Sequence, residues 1–167
     1  MKSALVETPG VHETPQAIPQ SSRYDRRPPG LPKQDFLHYL RYRERFVAVI
    51  LVVEDNFFIR EVAEMLIQDL GYSTLSAGDG DEALLILQSP QQIDALFTDI
   101  YLKDDVLGGC ELAIQAAKIR PSLRVLYTTG NFVNEAMKDL FVNGKHFLSK
   151  PYSPDQLKYS VDTMFLA

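Results

Sequence analysis

Six polar side chains each follow or end an apolar run of strand length in this 167-residue sequence. They are Glu54, Asp55, Asp99, Thr128, Thr129 and Lys150. Because parallel strands end at one edge of their sheet, we expect these carboxylates, hydroxyls and the ammonium group to gather there. Three neighbouring carboxylates repel one another and raise each other's pKa values, a conflict that a divalent cation removes.

The chemistry that this donor set favours is phosphoryl transfer. Oxygen ligands alone select a hard ion, and Mg2+ usually takes one or two protein carboxylates, some waters and a phosphate oxygen. In phosphoryl transfer the protein mainly positions groups and offsets charge. A carboxylate can act as the nucleophile and become an aspartyl phosphate. The lysine and a hydroxyl would then hold the remaining phosphoryl oxygens.

Five apolar runs alternate with five amphipathic segments after Val47, and this alternation predicts an α/β fold. The predicted strands are Ala48–Val53, Tyr72–Ser76, Ile93–Thr98, Leu123–Thr128 and His146–Ser149. The predicted helices run from Asn56 to Leu70, Asp79 to Gln88, Gly109 to Ile119, Val133 to Phe141 and from Pro154 onward. Such alternation is typical of a doubly wound parallel sheet covered on both faces, and right-handed crossovers favour the strand order 2-1-3-4-5.

Local signals fix the ends of two helices. Asn56 is a good cap for the first helix, and Gly71 is its stop. Ser153 is the cap of the last helix, with Pro154 at its first position. Apolar residues recur in the first helix at the spacing of a core-facing side; they are Val62, Met65, Leu66 and Leu70.

Four stretches in this order resemble the receiver domains of two-component response regulators. They are Ile50–Asn56, Leu96–Ile100, Val125–Gly130 and Phe147–Pro151. Each is a weak motif alone, but their order and separations together are specific, and the resemblance covers about residues 48–166. It implies a flavodoxin-like fold and a bacterial, cytoplasmic phosphoprotein of a phosphorelay.

The resemblance implies a metal site and a phosphoacceptor. Glu54 and Asp55 match the acidic pair that holds Mg2+, with Asp55 as the direct ligand. Asp99 matches the phosphoacceptor, which also touches the metal. Tyr101, two residues beyond it, would offer its backbone carbonyl to the same ion.

Three further residues match the catalytic and switch positions of the family. Thr129 matches the switch hydroxyl, since the small Gly130 follows it; the preceding threonine falls one place early, inside the strand. Lys150 matches the family's lysine, and the family implies a cis bond between it and Pro151. Phe147 matches the aromatic switch position.

The chain also departs from the family. Leu102-Lys103 stands where Met-Pro is common, and the loop Asp104–Gly109 is one residue longer than usual. Tyr101 and Asn131 occupy the two positions that influence access of water to the phosphoryl group. We therefore expect an altered rate of self-dephosphorylation.

Each residue has a structural alternative. The acidic pair could suit the dipole of the helix start that follows it, and Thr129 could bond only its local backbone. Phe147 could be plain packing. Cys110, at a predicted helix start, is interpreted as a small, partly buried cysteine rather than a reactive thiolate.

The predicted function is that of a stand-alone receiver, a phosphoacceptor switch that catalyses only its own phosphorylation and dephosphorylation. A sensor histidine kinase or histidine phosphotransfer protein would donate the phosphoryl group to Asp99. The new charge would shift the fourth helix and fifth strand and so create a surface for a downstream protein. The alternatives are a phosphate sink or relay, or a receiver-like binding module without phosphorylation. Homodimerisation through the fourth helix is common in the family.

Two enzyme-like rivals and one DNA-binding rival fit less well. A haloacid-dehalogenase-like phosphatase needs a second aspartate two residues after the first, where this chain has Tyr101. A flavin carrier shares the topology but needs no acidic cluster. A DNA-binding effector in residues 1–46 would be too short and too rich in proline for a helix-turn-helix.

The charge divides the chain in two. Residues 1–45 hold 8 Lys/Arg against 5 Asp/Glu, while residues 46–167 hold 9 against 17. Most of the ten prolines lie in the first 34 residues, which predicts a disordered or linker segment over 1–46 and a receiver domain over 47–167. The net negative charge of residues 46–167 argues against nucleic acid as a partner. The longest apolar run in these residues is too short to span a membrane.

Overall fold

A computed structural model describes residues 32, 47–103, 107–143 and 146–166 of the chain. The prediction for residues 1–46 therefore lies, apart from Pro32, outside the described residues. So does half of the loop that the sequence suggested to be one residue longer than usual, since residues 104–106 are not among the described residues.

Five parallel strands form one sheet in the order β2-β1-β3-β4-β5, which confirms the predicted topology. The strands are β1 (Val49–Val53), β2 (Ser73–Ala77), β3 (Ala95–Asp99), β4 (Arg124–Thr129) and β5 (His146–Ser149). β1 and β3 are almost wholly buried, as expected of central strands in a parallel sheet that is covered on both faces.

Five helices connect or follow the strands. They are α1 (Phe57–Asp69), α2 (Gly80–Gln88), α3 (Gly108–Ile119), α4 (Glu135–Lys138) and α5 (Pro154–Leu166). The Asn56 side chain accepts hydrogen bonds from the N–H groups of Phe58 and Ile59 and so caps α1, as predicted. Gly71 ends this segment with a φ of 92°, a backbone conformation that favours glycine. No helix in the described part of the chain is long and apolar enough to cross a bilayer.

Two apolar cores lie on opposite faces of the sheet. On one face, α2 and α3 cover Leu51, Leu96 and Val125. On the other face, α1 and α5 cover a second cluster that includes Phe97 and Leu126. The helices thus clamp both sides of the sheet and leave its carboxyl edge for polar residues.

The face of α1 that packs on the sheet is only partly the one predicted, since Leu66 and Leu70 pack against the core as expected. Ala63 and Ile67 are buried, whereas Val62 and Met65 are 50% and 54% exposed. Apolar residues surround most of this helix, so their spacing did not identify the buried stripe. Packing selects the stripe that contains the small Ala63, which lets the helix approach the sheet closely.

The fourth helix is also shorter than predicted, with one turn over Glu135–Lys138 in place of 133–141. After this turn the backbone follows tertiary contacts. The Phe141 ring stacks on Tyr127 with ring centroids 4.0 Å apart, and the Val142 N–H donates to the Tyr127 phenol oxygen. These contacts draw the segment down onto β4 and end the helix.

Candidate functional site

The three predicted carboxylates meet at the carboxyl edge of the sheet. Val53 and Thr98 are register partners in β1 and β3, so the next residues, Glu54 and Asp99, lie side by side. A carboxylate oxygen from each of these two and from Asp55 can be chosen so that all three lie within 4.8 Å of one another. Glu54 and Asp99 are buried, while Asp55 is exposed and open to solvent.

Lys150 joins two of these carboxylates. Its ammonium nitrogen lies 2.5 Å from Glu54 Oε2 and 2.6 Å from Asp99 Oδ2. The lysine is held at its own backbone as well, because its N–H donates to the Thr129 carbonyl at 2.8 Å. The bond between Lys150 and Pro151 is cis, as predicted. The last residue of β4 therefore holds the backbone of Lys150, while its ammonium group reaches the carboxylates at the ends of β3 and β1.

Burial and charge act in opposition at this pair. Burial raises the pKa of Glu54 above its usual value, although the Lys150 ammonium works against that rise. Burial alone would lower the pKa of Lys150, but hydrogen bonds to Asp99 and Glu54 outweigh it and raise the pKa. The lysine is therefore cationic at neutral pH, as a group that holds an anionic ligand must be.

The donor set of this cluster fits a hard divalent cation. One ammonium faces three carboxylates, so the cluster keeps excess negative charge that Lys150 alone does not balance. The ligand atoms are all oxygens, and the exposed Asp55 leaves the cluster accessible from solvent. These are the properties of sites that hold Mg2+.

Tyr101 contacts the cluster through its backbone. Its N–H donates to Asp99 Oδ1 at 3.1 Å, so one oxygen of the aspartate is held by this amide and the other by Lys150. The half-buried side chain packs against the core under α2 and α3. Its role as a carbonyl ligand to a metal stays a prediction.

The two predicted switch residues lie apart from the carboxylates. Thr129 is buried, and its hydroxyl oxygen accepts a hydrogen bond from the Asn131 N–H at 3.2 Å. Phe147 is half-buried next to the Phe141 ring, with ring centroids 6.3 Å apart. Their switch roles stay predictions.

Sequence reasoning missed the part that Lys103 plays beside the site. This residue has a left-handed φ of 55°. Its N–H donates to Asp55 Oδ2 at 3.1 Å, and its ammonium pairs with Asp79 at 2.6 Å. The N–H of Glu82 and then Lys103 lower the pKa of Asp79. The replacement of Met-Pro by Leu-Lys was the signal for this contact, but nothing in the sequence identified Asp79 as the partner.

Gly109 is a second residue that the sequence did not mark as part of the site. A Cβ atom at this position would lie 1.8 Å from the Asp99 carbonyl oxygen, and the Gly109 N–H donates to the Ile100 carbonyl at 3.0 Å. The first turn of α3 thus packs directly on the backbone of the central aspartate. Only the absence of a side chain makes this approach feasible.

Cys110, the next residue, has no part in this chemistry. It is buried in α3, and burial raises the pKa of its thiol to about 11. The thiol is therefore protonated and unreactive at neutral pH, which confirms its interpretation as a packing residue.

Comparison with known proteins gives a consistent family. Residues 50–162 match the family model of the response regulator receiver domain. The chain is 30% identical over 123 residues to the hybrid signal transduction histidine kinase K of Dictyostelium discoideum, covering 68% of this chain and 10% of that protein. It is 32% identical over 110 residues to the alginate biosynthesis transcriptional regulatory protein AlgB of Pseudomonas aeruginosa, covering 65% and 24%. The chain thus spans a quarter or less of either relative.

Solved structures agree. The chemotaxis protein CheY4 of Vibrio cholerae is similar with a TM-score of 0.62 and 25% identity, covering 71% of this chain and 98% of that one. A CheY-like receiver domain protein of Methanospirillum hungatei matches with a TM-score of 0.62 and 24% identity, over 72% and 95%. This second likeness supports the fold alone.

Proposed function

Since the chain belongs to the response regulator receiver domain family, we propose that Asp99 accepts a phosphoryl group from a phosphohistidine donor and that the domain signals by phosphorylation-dependent protein binding. The observation that carries the proposal is the position of Asp99. Its carboxylate is held by Lys150 on one oxygen and by the Tyr101 N–H on the other, beside two further acids. A carboxylate fixed in this way is oriented before any donor arrives.

In the proposed reaction a carboxylate oxygen of Asp99 attacks the phosphorus of the donor. A P–O bond forms to Asp99 as the P–N bond to the imidazole breaks, and the imidazole leaves with the electron pair of that bond and takes up a proton. Lys150 already touches the attacked carboxylate and would hold a phosphoryl oxygen. Glu54, Asp55 and Asp99 would hold Mg2+, which when bound offsets the charge of the phosphoryl oxygens.

An exposed apolar surface beside the site supports a protein donor. Phe58 and Ile59, in the first turn of α1, lie close to Lys150 and Pro151 and line an open groove with them. Phe58 is 77% exposed. A phenylalanine in contact with solvent does not stabilise an isolated domain, whereas an exposed apolar surface is typical of an interaction site. A helix that carries a phosphohistidine could cover this surface and bring its imidazole to Asp99.

The signal to a downstream protein would pass through Thr129, Phe147 and α4 rather than through α1. A phosphoryl group on Asp99 would compete with Asn131 for the Thr129 hydroxyl, whose oxygen now accepts from the Asn131 backbone. Thr129 and Tyr127 project from the same face of β4, and Phe141 stacks on Tyr127, so movement of Thr129 would act on that stack. Phe147 and α4 would then rearrange together and present a changed surface to a downstream protein.

The test of the proposed function is labelling of Asp99 by a small phosphodonor. We expect acetyl phosphate with Mg2+ to shift the wild-type protein on a phosphate-affinity gel, whereas Asp99→Asn gives no shifted band because its amide is not a nucleophile. EDTA should abolish the wild-type shift. Asp155→Asn, which alters an exposed carboxylate in the first turn of α5, should be labelled normally.

The fold of each variant is checked by circular dichroism in the same buffer. If folded wild-type protein shows no band that depends on both Mg2+ and Asp99, the domain is a receiver-like scaffold without phosphoryl chemistry and the proposed function is wrong.

The lifetime of the phosphoryl group gives a second prediction. Tyr101 is bulky and half-buried two residues from Asp99, and we propose that its side chain limits the room for an attacking water. We expect Tyr101→Asn to shorten the half-life of labelled protein several-fold after removal of the phosphodonor. Tyr159→Asn is the matched control, because Tyr159 is exposed on α5. Equal half-lives for wild type and Tyr101→Asn would contradict this explanation.

A further inference from the structure

The hydroxyl of Thr128 is buried without a hydrogen-bond partner. Thr128 is 0% exposed, and its Oγ1 is the sole buried side-chain nitrogen or oxygen that lacks a partner within the described part of the chain. A buried hydroxyl without a hydrogen bond costs free energy. A valine of the same shape would avoid this cost, so the threonine needs another explanation.

The sheet register places this hydroxyl beside the phosphoacceptor. Asp99 and Thr128 are partners in β3 and β4, and in-register residues of parallel strands project from the same face. The pair two positions earlier, Phe97 and Leu126, projects from the same face and packs in the core under α1 and α5, which identifies that face. Thr128 therefore projects next to Asp99, whereas Thr129 projects from the opposite face.

The side chain of Lys150 crosses β4 near this position. It starts just beyond β5 and reaches Asp99 in β3 and Glu54 after β1, and β4 lies between β5 and β3. Thr128 is the β4 residue that is paired with Asp99 on one side and Leu148 on the other. The Lys150 Cβ lies 3.9 Å from the place where a Cβ atom of Gly130 would be, so the lysine side chain starts beside Gly130. Residue 128, two positions earlier, projects from the same face as residue 130, so the side chain passes on the Thr128 side of the sheet on its way to Asp99.

The ammonium group has hydrogen-bonding capacity to spare. Lys150 has three N–H donors, and two of them are used by Glu54 and Asp99. A change of Thr128 rotamer would turn its oxygen toward the third donor and leave its own proton free for the Asp99 carboxylate. The hydroxyl could thus bridge the two groups that meet the phosphoryl group.

We propose that Thr128 is a positioning residue whose hydroxyl accepts a hydrogen bond from the Lys150 ammonium and donates one to Asp99 when the site accepts a phosphoryl group. The role rests on the proposed function of Asp99. As the ammonium turns toward a phosphoryl oxygen, the Thr128 hydroxyl would hold it above β4. In the resting protein the hydroxyl remains unpaired, and its cost is recovered only in the reacting state.

The proposal predicts that loss of the Thr128 hydroxyl slows phosphorylation without lowering the stability of the fold, and Thr128→Val tests both expectations. In EDTA, its urea midpoint should equal or exceed that of wild type, because the variant removes an unpaired polar group. Its rate of labelling by acetyl phosphate with Mg2+ should fall about tenfold, the effect of about one lost hydrogen bond to a charged group. Thr128→Ser keeps the hydroxyl and should restore the rate.

Thr98→Val is the control for stability. The Thr98 hydroxyl is also fully buried but donates to the Asp99 carbonyl at 2.9 Å, so its loss should lower the urea midpoint. The proposal is overturned if Thr128→Val is labelled at the wild-type rate. It is also overturned if Thr128→Val is labelled slowly but loses stability as Thr98→Val does, because the hydroxyl is then structural. A wild-type protein that takes no label overturns the proposed function, and this role of Thr128 with it.

Discussion

Gly109→Ala is expected to lower the free energy of unfolding by about 3 kcal/mol, at the upper end of what overpacking costs. The new methyl carbon would lie 1.8 Å from the Asp99 carbonyl oxygen, with Ile100 Cα only 3.0 Å away. Both neighbours are backbone atoms of a central strand and its end, so no side-chain rotation relieves the overlap. Either α3 or the end of β3 must move.

The measurement is urea unfolding followed by circular dichroism. A loss of that size corresponds to a fall in midpoint of roughly 1–3 M urea for a small domain. Gly80→Ala is the matched control, since a Cβ atom on this first residue of α2 would meet nothing within 4 Å. Its midpoint should stay at or above the wild-type value. Equal midpoints for Gly109→Ala and Gly80→Ala would show that α3 does not pack on Asp99 as described.

Labelling of Gly109→Ala should fall as well. The displaced backbone belongs to the residue that carries the nucleophile, and small displacements of a reacting group are costly. We therefore expect the variant to be labelled more slowly than Gly80→Ala under conditions in which both are folded. The control separates a local effect on Asp99 from a general effect of alanine.

Lys150→Met is expected to destabilise the metal-free protein by about 3–5 kcal/mol, the cost of breaking a buried ion pair. The side chains of Glu54 and Asp99 are only 3% and 12% exposed. Without the ammonium they would face each other as uncompensated charges. Methionine keeps the unbranched shape of lysine, so the loss reports charge rather than a cavity.

Mg2+ should reverse much of this loss. Added cation stabilises any protein that binds it in the folded state, and the variant has a more negative site than wild type. We expect millimolar MgCl2 to raise the urea midpoint of Lys150→Met by more than that of wild type. Lys158→Met is the control, because its partner is Asp162 on the surface of α5 and a surface pair contributes about 1 kcal/mol at most.

Two results would contradict the account of Lys150. If Lys150→Met equals wild type in EDTA, the buried pair does not hold the site together. If Mg2+ stabilises wild type and Lys150→Met equally, the cation does not bind to the carboxylates that the lysine contacts.

The sequence predicted which side chains meet at the sheet edge better than it predicted their surroundings. Each strand end is marked locally, because an apolar run stops at Glu54, Asp99 or Lys150. Parallel register then brings those ends to one edge whatever the details of packing. The meeting of the three side chains needed only the strand order, and so could be predicted.

What could not be predicted depends on packing between distant segments. The predicted stripe of α1 was right at Leu66 and Leu70 but wrong at Val62 and Met65. Apolar residues surround the helix, and contact with the sheet selects Ala63 and Ile67 as the most buried positions. The fourth helix was predicted too long, because a tertiary contact, the stacking of Phe141 on Tyr127, ends the helix. The sequence also could not predict that the Thr128 hydroxyl lacks a hydrogen-bond partner, since threonine is common in strands.

The exposed face of α1 also affects how the protein behaves at high concentration. Residues 46–167 carry an excess of eight negative charges, so copies of the folded domain repel one another in dilute buffer. The apolar side chains of Phe57, Phe58 and Val62 act in the opposite direction at short range. Salt shortens the reach of the repulsion to about 8 Å at physiological strength and leaves the apolar attraction in place. Colloidal stability of this domain therefore depends on low ionic strength, or on a partner that covers α1.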